Sequence, residues 1–123
     1  MITTKAGGRE LALWWDLEAW FEVEEKLGSI EKMTKRILGD DEQPAKASAV
    51  LICACVNAGY RKGGSKERID EKWLSANVGA KAFKRLNALA RQAYIEGMAR
   101  EENEEKDEAA VDVVAAQIKK KEE

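Results

Sequence analysis

The chain has 123 residues, 45% of them hydrophobic and 36% charged, with a formal net charge of −2 and no histidine. That is enough for one domain with its own core. No apolar run approaches the roughly twenty residues that span a bilayer, and the opening MITTKAGGRE lacks the apolar stretch of a secretory leader, so a cytoplasmic protein without a membrane partner is expected.

Residues 2–15 read as a β-hairpin. Gly7-Gly8 supplies the positive φ angles of a two-residue turn between alternating runs, which sets Lys5 opposite Glu10 and Ile2 opposite Leu13. Leu11, Leu13 and Trp15 then share a face expected to be buried, and Glu10, Ala12 and Trp14 share the other. Asp16 is an N-cap and Gly28 a C-terminal stop for a first helix, in which Leu17, Trp20, Phe21, Val23 and Leu27 fall within an arc of about 160° expected to face the core. Glu24 falls inside the same arc. Ser29 opens a short second helix ending near Gly39, with Ile30, Met33, Ile37 and Leu38 on its apolar side.

Pro44 suits the first turn of a third helix, where its missing N–H costs nothing, and AKASAVLICACVNA is apolar nearly all round. This is the expected central helix, ended by Gly59. Cys53 and Cys55 lie within it, too close in sequence for an ordinary disulfide, and are expected to be core residues. Without histidine or C-x-x-C spacing, no metal or other cofactor is expected. A basic loop at 60–64 leads to a helical section expected from Ser65, with Ile69 and Trp73 one turn apart, broken at Val78-Gly79. A fifth helix from about Ala80 carries a seam of Phe83, Leu86, Leu89, Ala90, Ala93, Tyr94 and Met98, with Lys81, Lys84, Arg85 and Arg91 opposite.

The fold class is therefore mainly α: a small N-terminal β-hairpin, then a bundle of about five helices, with a helical or frayed acidic C-terminal tail. Residues 1–99 are read as one domain and 100–123 as a charged extension. Within that extension Val111, Val114, Ala115 and Ile118 recur at helical spacing.

The stretch GGRELALWWDLEAWFEVEEKLGSI resembles the start of the phage tail assembly chaperones of long-tailed phages. Those proteins begin with a short hairpin, then a segment of the type L-x-[aromatic]-[D/N]-[L/F], then a helix ending in acidic residues, leucine and glycine. Leu13, Trp15, Asp16, Leu17, Glu24, Leu27 and Gly28 stand at positions of that kind. The order of later elements also agrees, through AVLICACVNAG, DEKWLSANVG and FKRLNALARQAYIEGM, so the likeness covers about residues 5–98. It implies a helical, non-enzymatic protein that coats the tape measure protein in the host cytoplasm, keeps it soluble until the tail tube polymerises around it, and assembles into homo-oligomeric rings or spirals. A frameshifted longer form that recruits tail tube protein is common in the family, and Lys119-Lys120-Lys121 is compatible with a slippery adenine-rich run.

The candidate contact residues each carry two readings. Trp14, on the more polar hairpin face, is either an interface anchor or covered by the fifth helix or the tail. Glu24 either pairs with a cation of the basic segment or meets one on a neighbouring subunit. Residues 16–43 hold nine acidic against four basic residues, net −5, and residues 60–91 nine basic against three acidic, net +6. The basic segment, with Lys84, Arg85 and Arg91, is a solvated face, a nucleic-acid patch, or a surface that meets an acidic region of another subunit. Nucleic acid is disfavoured because acidic residues dominate elsewhere and the segment shows no glycine-bearing helix-turn-helix. Val111, Val114 and Ile118 belong to a frayed tail or to a segment that docks on a neighbour or on the tape measure protein. No pair of acids and bases suggests catalysis. The rivals to a tail assembly chaperone are a small nucleic-acid-binding regulator using residues 60–91 and a generic helical adaptor.

Overall fold

A computed structural model describes residues 1–39 and 43–100. In chain order these form β1 (Ile2–Ala6), β2 (Arg9–Leu13), α1 (Leu17–Leu27), α2 (Ile30–Ile37), α3 (Pro44–Lys62), α4 (Glu71–Asn77) and a fifth helix, α5, over residues 80–100. The mainly helical fold with its N-terminal hairpin is as expected. The acidic tail, with Val111, Val114 and Ile118, lies outside the described residues.

The hairpin has the register read from the turn, with Lys5 opposite Glu10 and Ile2 opposite Leu13. Gly7 and Gly8 both have positive φ, +60° and +76°, which two L side chains would resist. Leu11, Leu13 and Trp15 are buried. Asp16 caps α1 by accepting a 2.8 Å hydrogen bond from the Ala19 amide, and Ser29 caps α2 by accepting one from the Lys32 amide.

Helix α3 is the central element, buried from Val50 through Tyr60, including Cys53 and Cys55. Both thiols are free. Burial pushes the Cys53 thiol up to about 12 and raises that of Cys55 as well, because the thiolate would lose its hydration in the core.

Gly59 does not end this helix, which runs on to Lys62. The glycine serves instead as a contact point: a Cβ there would lie 1.9 Å from the Ala12 carbonyl oxygen, so its absence lets β2 lie directly on α3. At the same crossing the Trp14 amide donates to the Cys55 carbonyl at 3.0 Å. Termination falls to Gly63 and Gly64, where the Gly64 amide donates to Arg61 and the Ser65 amide to Tyr60, the paired bonds of a Schellman stop.

The helical section expected from Ser65 begins only at Glu71. Buried Asn57 accounts for the extended segment before it: its Nδ2 donates to the Ile69 carbonyl at 3.0 Å and its Oδ1 accepts from the Ile69 amide at 2.8 Å. A side-chain amide thus pairs both backbone groups of Ile69, as a neighbouring strand would, and removes their need for helical partners. Asp70 then caps α4 through the Trp73 amide.

The apolar stripe of α1 is also turned from its expected position. Ala19 and Val23 are buried and Trp20 and Leu27 half-buried, but Leu17 and Phe21 are each 56% exposed. The small Ala19 side chain allows α1 close to α3, so the line of contact follows Ala19 and Val23 rather than the larger Leu17 and Phe21, nearly half a turn away. Leu38, expected on the apolar side of the second helix, is 63% exposed just beyond the end of α2.

Along α5, Leu86, Ala90 and Ala93 are buried and Phe83, Leu89, Tyr94 and Met98 pack against the core as half-buried residues. A Cβ on Gly97 would meet the Trp15 Cβ at 2.5 Å, and Trp15 stands edge-on to Tyr94 with ring centroids 4.9 Å apart. Two missing side chains, at 59 and 97, therefore seat the hairpin and the Trp15 turn on α3 and α5.

Candidate functional site

Two surface features stand out. The first is an open apolar groove of about 780 Å³ among α2, the start of α3, α4 and the start of α5. Ile37, Ala49, Leu74, Val78 and Phe83 form its apolar lining, and Asn87, at its edge, has a buried Oδ1 with no hydrogen-bond donor among the described residues. Its rim carries exposed Lys46, Lys72 and Lys84. Among the described residues the single acidic lining residue, Glu71, is within 3.8 Å of Lys26 on α1. An apolar trough with a cationic rim suits an amphipathic helix flanked by carboxylates. Two smaller clefts, of about 470 and 380 Å³, lie along the hairpin beside Tyr60 and between α1 and α4.

The second feature is the outward face of α1. Leu17 and Phe21 are one helical turn apart and exposed, with exposed Glu24 and Glu25 on the following turn. Glu24 accepts a hydrogen bond from the indole Nε1 of half-buried Trp20. It therefore does not pair with the basic segment of its own chain: an exposed carboxylate one turn from an indole N–H has a local donor and keeps its contact with water.

Trp14 is half-buried between two cations, with the Arg100 guanidinium 3.9 Å and the Lys62 ammonium 5.0 Å from its ring. Arg100 also donates to the Trp15 carbonyl at 3.3 Å. The end of α5 thus packs on Trp14, which stays half-buried.

The basic segment divides. Arg61 forks across the Asp16 carboxylate, with donor distances of 2.8 and 3.1 Å, and its Nε lies 2.8 Å from a Glu18 oxygen. The hydrogen bond to Asp16 holds the guanidinium proton more tightly than usual. Part of the charge asymmetry between residues 16–43 and 60–91 is therefore satisfied inside the molecule. Arg85 donates to the Lys5 carbonyl at 2.6 Å, fastening α5 to the hairpin. Arg91 is half-buried, and among the described residues Lys84 is the one predicted contact residue that lines the groove.

The groove itself was not read from the sequence. Its lining comes from four helices, and its signal was only the run of small residues at Ala45, Ser48 and Ala49. Among the described residues no cluster of three or more histidine, cysteine or acidic side chains could hold a metal, and no helix is long and apolar enough to cross a membrane. A scan against protein-family models and searches of curated proteins and of solved structures return no match to this chain.

Proposed function

We propose that this protein is a phage tail assembly chaperone that binds the tape measure protein in the host cytoplasm, acting by reversible association and not by catalysis. The observation that carries the reading is the groove, apolar within and cationic at the rim, together with the resemblance in residues 5–98. A tape measure protein is a long helix whose apolar stripes need cover before the tube closes around it. Seating one stripe in the groove removes it from water, while Lys46, Lys72 and Lys84 meet flanking carboxylates without burying their charges. Tail tube protein is a further partner through a longer frameshifted form, and the homo-oligomer is the proposed client-free form, whose subunits go on to coat the tape measure protein.

The nucleic-acid reading draws less support. Arg61 and Arg85 are held by Asp16, Glu18 and the Lys5 carbonyl, and α4 is a seven-residue helix after an extended segment, a poor recognition unit for a groove of DNA.

The test is co-expression with a tape measure protein from the same genome. Ala45 and Ala80 are exposed groove residues near the starts of α3 and α5, where a carboxylate is favourable to the helix, so Ala45→Glu/Ala80→Glu spoils the groove without spoiling the fold. Wild type is expected to co-purify with soluble tape measure protein and the double variant to lose it. Equal recovery with both would remove the groove from the account.

A further inference from the structure

The two surface features are complementary to each other. The outward face of α1 is a short amphipathic ridge, Leu17 and Phe21 followed by Glu24 and Glu25, and the groove is an apolar trough rimmed by Lys46, Lys72 and Lys84. On α1 the ridge points away from Lys26, the residue that reaches Glu71 at the groove's edge in the same chain. The chain's own α1 therefore cannot turn its ridge into its own groove without giving up that contact. We propose that the groove receives the α1 ridge of a second copy, with Leu17 and Phe21 as the apolar anchors and Glu24 and Glu25 against the lysine rim.

Such a contact is heterologous, because ridge and groove are different surfaces, and each subunit keeps one free ridge and one free groove. Assembly therefore continues head-to-tail into a ring or an open spiral instead of stopping at a dimer. With two large anchors the contact is small, so it is reversible and concentration-dependent. Its bearing on client binding rests on the chaperone reading: a neighbour's ridge and a tape measure helix would compete for one groove, so client capture would loosen the self-assembled form. The contact itself is testable with no client present.

Sedimentation velocity at concentrations up to about 100 µM would follow the full chain, Phe21→Glu and Ala45→Glu/Ala80→Glu, alone and mixed. Wild type is expected to form assemblies larger than a dimer that weaken at least several-fold in high salt, and each variant alone to be monomeric. Mixed at equal ratio, the two variants should form a heterodimer and nothing larger, because one intact ridge meets one intact groove and neither product can extend. A monomeric wild type, a Phe21→Glu variant that still assembles, or a mixture that stays monomeric or grows without limit would each overturn the proposal. Circular dichroism on both variants establishes that they are folded, and the charge exchange Glu24→Lys/Glu25→Lys with Lys72→Glu/Lys84→Glu supplies a second pair whose mixture must associate better than either alone. Phe21→Glu, whose groove is intact, should lose self-association and still co-purify with the tape measure protein, which separates this contact from the chaperone reading; loss of capture together with self-association would overturn the competition for one groove.

Discussion

Replacing Gly59 by alanine tests how the hairpin is held. The added Cβ would lie 1.9 Å from the Ala12 carbonyl oxygen and 2.4 Å from its carbon, both backbone atoms of a paired strand. No rotamer change relieves that overlap, so β2 must move by more than an ångström. The movement weakens the Trp14 amide bond to the Cys55 carbonyl and loosens Leu11 and Leu13 in the core. Overpacking of this kind costs about 3 kcal/mol, while alanine in place of a helical glycine returns about 1 kcal/mol. The net expectation is a loss of about 2 kcal/mol, or roughly 10 °C in melting temperature for a domain of this size. Gly63→Ala is the matched control, because its Cβ would meet only carbonyl oxygens at 3.6 and 3.7 Å and its φ is ordinary. Urea unfolding of the three proteins decides the matter. A Gly59→Ala protein as stable as wild type would refute the close approach of β2 to α3.

Asn57→Ala should cost about 2–4 kcal/mol, since it leaves the amide and carbonyl of buried Ile69 unpaired; hydrogen exchange at the Ile69 amide should accelerate, and unchanged protection would contradict the clamp. The buried thiols set a limit at alkaline pH. An ordinary thiol titrates near 9.0, and burial raises Cys53 to about 12 and Cys55 as well, so above pH 9 the unfolded chain releases protons that the folded chain keeps. Stability is thus expected to fall between pH 9 and 11 by up to about 1.4 kcal/mol per pH unit for each thiol. Urea titrations of wild type and Cys53→Ala/Cys55→Ala should differ in that slope, and parallel curves would show that the thiols are not protected.

Much of the fold was legible because it is written locally. The Gly7-Gly8 turn, the Asp16 and Ser29 caps, Pro44 and the seam of α5 each act through neighbours a few residues away. What went unread depends on tertiary approach. Gly59 resembles a helix stop in any sequence, and only the strand lying on it shows that its missing side chain is a contact. Ile69 and Trp73 have helical spacing, yet Asn57, twelve residues before Ile69, supplies backbone partners that hold Ile69 extended. Leu17 and Phe21 look like core because they are large, whereas small Ala19 sets the line along which α1 meets α3. The groove depended on the same kind of information, being a space left by four helices. Asp70 is an exception: a cap of the same type as Asp16, it could have marked the start of α4.

A photo-crosslinking amino acid at Ser75, an exposed position inside the groove, compared with one at Lys35, exposed on α2 and outside the groove lining, measures client docking directly during co-expression with the tape measure protein. The account predicts an adduct with the tape measure protein from position 75 and none from position 35. An adduct from position 35 alone, equal adducts from both, or none from either would contradict it.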